Sequence, residues 1–268
     1  MIDALDYEIG NHRIACPDCG RGGRDKTTGL KVEADSVVLH CFRCGLVQSF
    51  HSERTAVRRG PCTKPQQAQQ HTSLNEWGRA LWQSTHELAG VALDYLKHRH
   101  CVIPPAYGDL RWHPALKHPT GYTGPALVAL ITEVHTNQPM SLHRTWIQAT
   151  GKADIDPPRL LLGNHATANG IIRLFPDDEV GHTLGLAEGI ETALSLAWFG
   201  YPVWSTIDAG HLGKFPLLAG ITQLVIAQDN DPAGIAAATT CAQRWADADR
   251  WVIVTKQAQN DLNDEVSK

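Results

Sequence analysis

The stretch TLGLAEGIETALSLAWFG, residues 183–200, predicts a strand, a turn and a helix in immediate succession. Its first five residues are mostly small or apolar, which is typical of a strand that is buried on both faces of a sheet. Glu188 and Gly189 interrupt this run, and apolar residues then recur at three- and four-residue steps until Gly200 ends the helix. A strand followed at once by a helix is the repeating unit of a parallel α/β sheet.

The same alternation continues to the end of the chain. Three further apolar runs predict strands, and PAGIAAATTCAQRWA predicts a helix before the last of them. The three runs are PVWSTID (202–208), QLVIAQD (223–229) and RWVIVTK (250–256). Residues 181–268 therefore predict a doubly wound parallel sheet, in which ligands bind beyond the carboxyl ends of the strands.

Acidic residues follow two of these predicted strands. Glu188 follows the first, while Asp229 and Asp231 follow the run QLVIA in alternate positions. Because residues two apart on a strand point to the same side, we expect Asp229 and Asp231 to face one ligand, with Glu188 on a neighbouring strand end. Three carboxylates at one sheet edge repel one another unless a hard cation lies between them. The sequence therefore predicts a Mg²⁺ or Mn²⁺ site at Glu188, Asp229 and Asp231.

Other interpretations of these acids fit less well. Solvated turn acids would not explain two sites that each follow an apolar strand directly. An EF-hand loop starting at Asp229 would need glutamate at its twelfth position, where Thr240 stands, and a helix before it. A P-loop is also excluded, because the nearest match ends at Lys214 and is followed by Phe215. The chain is therefore not expected to be its own ATP-driven motor.

Two CxxC pairs near the start of the chain, Cys16/Cys19 and Cys41/Cys44, match the spacing of a zinc ribbon. A hairpin over 30–40 would bring the two turns together, so residues 1–52 predict a module stabilised by structural Zn²⁺. The alternative, a pair of redox-active CxxC motifs, would need a strand–helix unit around them, and none is present. Basic residues and Phe42 suit contact with nucleic acid, although a structural module with solvated charges would look similar. The basic residues are Arg21, Arg24, Lys26, Lys31 and Arg43.

The middle of the chain predicts a linker and then a mixed subdomain. Residues 53–73 are rich in glutamine, proline and basic residues, which is typical of a linker. Residues 74–180 predict an α+β subdomain that starts with a helix, capped by Ser73 and Glu76 and broken at Gly90. Short apolar runs such as ALVALITEV and SLHRTWI then predict strands.

Composition limits the partners of the chain. Hydrophobic residues make up 43% and charged residues 19% of its 268 residues, as in ordinary soluble globular proteins. No apolar run approaches the ~18 residues of a membrane span, and the first residues do not resemble a secretory signal, so we expect no membrane association and a cytoplasmic protein. The net charge is −4, so nucleic acid would have to bind at local basic patches. Between 181 and 268, ten acidic residues against five basic ones suit a divalent-metal site.

The motifs and their order resemble those of Toprim-domain DNA primases. EGIETA (188–193), followed about 40 residues later by DNDPAG (229–234), looks like a Toprim domain, the metal-binding fold shared by DnaG-type primases, topoisomerases, RecR and some nucleases. The closing segment 256–264 is similar to the tail of primase-like members. The ribbon and the segments between 95 and 163 resemble the regions that precede Toprim in primases of phages, plasmids and integrated elements.

This resemblance implies a DNA primase that makes short primers on single-stranded DNA from nucleoside triphosphates. Glu188, Asp229 and Asp231 would be its catalytic residues and hold Mg²⁺ or Mn²⁺, and a separately encoded replicative helicase would be its partner. Basic residues must offset the phosphate charge, and the candidates are Arg144, Lys152, Arg159 and Arg43.

The chain also departs from the primase pattern at two places. DnaG-type primases often carry an acid four residues after the motif glutamate, where this chain has Thr192, and Glu191 lies one position away. Their ribbons often include histidine, whereas this ribbon has four cysteines. Two other functions stay open, namely a RecR-like DNA-binding scaffold and a Toprim metal-dependent nuclease. RecR-like chains are shorter and begin with a helix-hairpin-helix, and a nuclease would need no triphosphate site.

Overall fold

The computed structural model describes residues 7–20, 26–33, 36–41, 43–44, 46–51, 71–163 and 165–267. Backbone contacts group the chain into two compact units, the first formed by Met1–Gln67 with the short segment Asp231–Ala233 and the second by Ala68–Asn230 and Gly234–Lys268. The predicted linker 53–73 lies almost entirely outside the described residues, so its boundaries stay a prediction. None of the helices that the structure describes is long and apolar enough to cross a membrane.

The first unit is a four-stranded antiparallel sheet in the order β1-β2-β3-β4. Its strands are β1 (Gly10–Ile14), β2 (Thr28–Val32), β3 (Ser36–Cys41) and β4 (Val47–His51). The hairpin predicted between the two cysteine pairs is confirmed as β2 and β3, with Leu30 opposite Leu39. Among the residues of this unit that the structure describes, the apolar core consists of Leu30, Val32, Val37 and Leu39, against which three partly buried residues pack: Tyr7, Ile14 and Leu46. A core of that size is too small to stabilise a module by itself, so a further cross-link is expected.

The second unit is built on a single ten-stranded sheet in the order β14-β13-β11-β12-β10-β6-β7-β8, with β5 paired to β6 and β9 paired to β7. Its strands are β5 (Leu110–Lys117), β6 (Thr123–Glu133), β7 (Pro139–Gln148), β8 (Gly151–Lys152), β9 (Arg159–Leu161), β10 (Gly170–Arg173), β11 (Thr183–Ala187), β12 (Val203–Ser205), β13 (Gln223–Ala227) and β14 (Trp251–Thr255). Strands β11 to β14 pair in parallel, which confirms the predicted parallel sheet. Antiparallel pairing of β10 with β12 joins this part to the middle of the chain.

Within the described part of the chain, six α-helices accompany the sheet. They are α1 (Glu76–Gln83), α2 (Val91–His98), α3 (Ile190–Leu196), α4 (Ala209–Lys214), α5 (Pro232–Ala246) and α6 (Leu262–Val266). The predicted capping box at Ser73 is wrong: Asn75 caps α1, because its side chain accepts a hydrogen bond from the Gly78 backbone N–H at 2.8 Å. The predicted break at Gly90 is confirmed, since Gly90 has φ +51° and precedes α2.

Alternate residues of the parallel strands are buried on opposite faces of the sheet. Ala187, Val225 and Ala227 belong to one apolar cluster with residues of α2 and α3, whereas Leu186 and Ile226 belong to a second cluster with residues of α5. A sheet that is covered on both faces in this way opens only at its ends, so ligands must approach the strand termini.

The glycine of the DNDPAG motif has a steric reason. A Cβ at Gly234 would lie 2.7 Å from the Asp229 carbonyl oxygen and 2.8 Å from the Asp229 Cβ, which is closer than real contacts allow. We expect Gly234→Ala to lower the free energy of unfolding by about 1–3 kcal/mol in a urea titration, because the Asp229 loop must move. The matched control is Gly213→Ala in α4, whose Cβ would meet nothing closer than 3.6 Å. Equal stability of the two variants would contradict the steric argument.

Candidate metal centres

The four predicted zinc cysteines lie together at one end of the first unit. The Sγ atoms of Cys16 and Cys44 are 3.6 Å apart, as are those of Cys19 and Cys41, and all four lie within 4.8 Å of one another. A tetrahedral Zn²⁺ with bonds of about 2.3 Å requires sulfur–sulfur distances of about 3.8 Å. The four thiols therefore fit a closed structural zinc site.

Local backbone geometry prepares this site. The Gly20 N–H donates to the Cys16 carbonyl at 3.0 Å, and a Cβ at Gly20 would lie only 2.3 Å from that oxygen, so the turn requires glycine. The Arg43 N–H donates to the Cys41 sulfur at 3.4 Å. Although burial raises the pKa of the Cys41 thiol, backbone N–H groups of Cys44 and Arg43 lower it to about 5. A lowered pKa favours the thiolate form of Cys41, which is the form that binds metal.

Of the predicted nucleic-acid residues in this unit, Arg43 folds back on the module. Its guanidinium donates to the Cys19 carbonyl at 3.2 Å. Phe42, Arg21 and Arg24 lie outside the described residues. Contact between the ribbon and nucleic acid stays a prediction.

The predicted acidic residues lie at the carboxyl ends of adjacent parallel strands. Ala187 of β11 is in register with Ala227 of β13, and both residues end their strands. Glu188 follows β11 directly, whereas Asp229 lies two residues beyond β13. The expectation that strand alternation orients Asp229 and Asp231 is wrong, because both residues lie in the loop between β13 and α5.

The loop that carries Glu188 is hydrogen-bonded to the end of β12 and to the residue that follows it. The Ser205 hydroxyl donates to the Glu188 carbonyl at 2.7 Å, and the Thr206 N–H donates to the Ala187 carbonyl at 2.8 Å. Ile207 has φ +76°, and the Asp208 N–H donates to the Thr206 carbonyl at 2.8 Å, which together define a strained γ-turn. A β-branched residue in this conformation costs about 1–3 kcal/mol. Such strain is typical of functional edges.

The loop that carries Asp229 is hydrogen-bonded to the segment that follows β14. The Asn230 N–H donates to the Asn260 carbonyl at 2.7 Å, and the Gln257 amide donates to the Gln228 carbonyl. These two hydrogen bonds were not predicted from the sequence. Their only signal is that both residues follow β14, the strand beside β13.

The three acids are half-buried and share one edge, but the structure does not bring them to a common ligand distance. Among the described residues, only the four cysteines form a group of three or more potential ligands within 4.8 Å of one another. Two oxygens on one Mg²⁺ lie at most about 4.2 Å apart. Mg²⁺ in proteins usually keeps several waters and takes one or two carboxylates, so this donor set fits such an ion without all three acids in direct contact. The assignment of Glu188, Asp229 and Asp231 as ligands stays a prediction.

Glu191 does not replace the acid that DnaG-type primases often have at the position of Thr192, because its carboxylate has other partners. Its Oε1 atom accepts a hydrogen bond from the Tyr95 hydroxyl at 2.6 Å and lies 3.3 Å from the Lys152 ammonium nitrogen. Burial raises the pKa of Glu191. This effect is outweighed by Lys152, the Tyr95 hydroxyl and Arg159, which together lower the pKa to about 2. Glu191 is therefore ionised and engaged with the middle of the chain.

The candidate phosphate-binding residues lie on different faces of the sheet. Arg144 lies opposite Leu160 in the sheet, and Leu160 belongs to the apolar cluster that includes residues of α1. The Arg144 side chain is buried, and its guanidinium donates to the Leu161 carbonyl at 2.9 Å. Lys152 and Arg159 pair with Ile147 and Thr145, which face the opposite side. The geometry favours Lys152 and Arg159 over Arg144 as ligands of a phosphate, although all three roles stay predictions.

His211 links the middle of the chain to the last third through two hydrogen bonds. Its Nδ1 lies 2.8 Å from Asp208 Oδ1, and its Nε2 lies 2.7 Å from the Thr167 carbonyl oxygen. Both partners can only accept, so these two contacts favour the ring that carries a proton on each nitrogen. The hydrogen bond with Asp208 accordingly raises the pKa of His211 above its usual range, against burial and the nearby Lys214.

This link should make stability depend on pH. Because the pKa of His211 is raised in the folded state, the ring contributes to the free energy of unfolding. This contribution is fully present below the pKa of the unfolded state, about 6.5, and is lost as the pH rises through the pKa of the folded state. We expect the unfolding free energy of the wild type, relative to His211→Gln, to fall as pH rises from 6 to 9 in urea titrations. A difference that is constant across this range would contradict a charged ring.

Two family models match segments of the second unit. Residues 183–268 match the model of the Toprim domain, and residues 72–174 match the model of a domain of unknown function, DUF7146. The resemblance drawn from EGIETA and DNDPAG is thus confirmed for the Toprim domain. No curated protein matches the chain significantly.

Two solved structures are similar to most of the chain. The primase fragment of the bacteriophage T7 primase-helicase protein is 18% identical, with 94% of this chain and 92% of that chain covered and a TM-score of 0.46. The Aquifex aeolicus primase, comprising its zinc-binding and RNA polymerase domains, is 15% identical, with 98% and 79% covered and a TM-score of 0.42. These identities and TM-scores are low, and the fold described above rests on the chain's own strand pairing.

Proposed function

We propose, on the premise that residues 183–268 form a Toprim domain, that this chain is a DNA primase-type nucleotidyltransferase. It would synthesise short primers on single-stranded DNA from nucleoside triphosphates. The observation that carries the proposal is the position of the acids: Glu188 and Asp229 follow adjacent parallel strands of that domain, and Asp231 lies in the same loop. A four-cysteine module ahead of the domain supports a template-binding role.

Glu188, Asp229 and Asp231 would hold Mg²⁺ or Mn²⁺, which would neutralise charge at the α-phosphate. In this reaction a 3′-hydroxyl attacks the α-phosphate in line and loses its proton to water, while the bond to the β-phosphate breaks and pyrophosphate leaves. The carboxylates act as ligands and not as proton donors. Lys152 and Arg159 lie on the face of the sheet that Glu191 contacts, where their charges would orient the triphosphate. The zinc module would contact the template through basic residues such as Arg43. A cytoplasmic location and a separately encoded helicase partner belong to the same proposal.

One experiment separates primase, scaffold and nuclease. Purified protein is incubated with single-stranded DNA, labelled nucleoside triphosphates and Mg²⁺ or Mn²⁺, and the products are resolved by length. New oligonucleotide supports the primase. A shift of the DNA without chemistry supports a RecR-like scaffold, and shortened DNA supports a Toprim nuclease.

A further inference from the structure

A polar contact links the first turn of α3 to the middle of the chain through a buried side chain. Glu191 is 8% exposed, and Tyr95, whose hydroxyl donates to its carboxylate at 2.6 Å, is fully buried. The same carboxylate oxygen lies 3.3 Å from the Lys152 ammonium, and that side chain keeps 31% of its surface exposed. The glutamate is thus fixed on its buried side by a neutral donor, while the lysine still reaches solvent.

Stability alone is a poor reason for this arrangement. Burying a carboxylate is costly, and an ion pair recovers that cost only partly, so an apolar pair would serve packing as well or better. Glu191 follows Glu188 by three residues, which span at most about 11 Å even when fully extended. The pair therefore places the Lys152 ammonium at the first turn of α3, the helix that follows the strand end carrying Glu188.

Two cations interact with the Glu191 carboxylate on its face of the sheet. Lys152 and Arg159 share one face of the sheet and both interact electrostatically with Glu191. His143 lies on the same face, and burial together with Arg159 lowers its pKa to about 4, so it is neutral near pH 7. Lys152 and Arg159 thus share the single carboxylate of Glu191 on this face, so either cation can also contact an anionic ligand.

We propose that Glu191 is a positioning residue, which holds the Lys152 ammonium beside the acidic edge so that it binds the polyphosphate of a nucleoside triphosphate. This inference rests on the proposed function, because it concerns the substrate of the same site. Tyr95 positions Glu191 in turn, since its hydroxyl fixes the oxygen that Lys152 contacts. Neither Glu191 nor Tyr95 touches the ligand itself.

The test is a double-mutant cycle on the affinity for fluorescent ATP, measured with Mg²⁺ but without template. Because a charge-assisted contact is lost, Lys152→Met should weaken binding roughly tenfold. Glu191→Gln should weaken it by about threefold or more, and should have no further effect when Lys152 is already methionine. Lys117→Met, at an exposed lysine in β5, is the control for loss of a positive charge and should leave the affinity unchanged.

Tyr95→Phe keeps every charge and removes only the hydroxyl, so it tests the same idea if Glu191→Gln fails to fold. It should weaken ATP binding a few-fold in the wild type and not in Lys152→Met. Tighter ATP binding in Glu191→Gln would show that the carboxylate only repels the phosphates, and would overturn the inference. Unchanged affinity in the Lys152 and Glu191 variants would overturn it too, while leaving the proposed function standing. A wild type that binds no ATP would instead count against the proposed function itself.

Discussion

Asp229→Asn is expected to reduce primer synthesis by about 10²–10³-fold or more while the protein stays folded. Asparagine has the shape of aspartate but lacks its charge. The substitution should therefore preserve the conformation of the loop and weaken the binding of the divalent ion that would neutralise the α-phosphate. Removal of one preorganised group that stabilises transition-state charge typically costs this much in turnover. The measurement is the initial rate of labelled-nucleotide incorporation on single-stranded DNA.

The matched control for this variant is Asp247→Asn, at an exposed aspartate beyond the end of α5 in the same domain. It removes the same charge from the Toprim domain, but at the other end of α5 from the loop that carries Asp229. Primer synthesis should be near the wild-type rate in this control. Wild-type synthesis by Asp229→Asn would refute the assignment of that residue, even if the protein proved to be a primase.

Cys41→Ser is expected to unfold the first unit and to leave the second unit folded. The small apolar core around Leu30 and Leu39 cannot stabilise the module alone, whereas zinc binding supplies about 10–16 kcal/mol in comparable small modules. The second unit has its own large apolar clusters and should keep its unfolding transition. Zinc content by metal analysis and protection of each unit from limited proteolysis would measure the two effects.

Cys62→Ser is the control, because Cys62 stands outside the two CxxC pairs. It should retain one zinc per chain and the wild-type proteolysis pattern. A Cys41→Ser protein that still binds one zinc with an intact first unit would contradict the four-cysteine site. Chelation of the wild type should reproduce the Cys41→Ser pattern.

The elements with strong local signals could be predicted from the sequence. The apolar runs of β11, β13 and β14 and the CxxC spacing depend on neighbouring residues, and the structure has them where they were expected. The start of α1 was misplaced by two residues, because Ser73 and Asn75 are both good capping residues and only the tertiary fold selects Asn75.

The contacts that organise the candidate site join distant parts of the chain, and no local pattern contains them. Glu191 meets Tyr95 across 96 positions, so the sequence left open whether it joins the acidic edge. The sequence offers Arg144, Lys152 and Arg159 as phosphate ligands, but it does not show which face of the sheet each side chain occupies, because sheet register decides that. The pairing of β10 with β12, which merges the two predicted subdomains into one sheet, is equally non-local.

The central claim is that Glu188, Asp229 and Asp231 bind one or more divalent ions at the edge of the Toprim sheet. Electron paramagnetic resonance of Mn²⁺ titrated into the zinc-loaded protein tests it directly, because bound Mn²⁺ loses the sharp signal of the free ion. We predict saturable Mn²⁺ binding in the wild type and in Asp247→Asn, and loss of at least one site in Glu188→Gln and in Asp229→Asn. Identical Mn²⁺ binding by all four proteins would contradict the account.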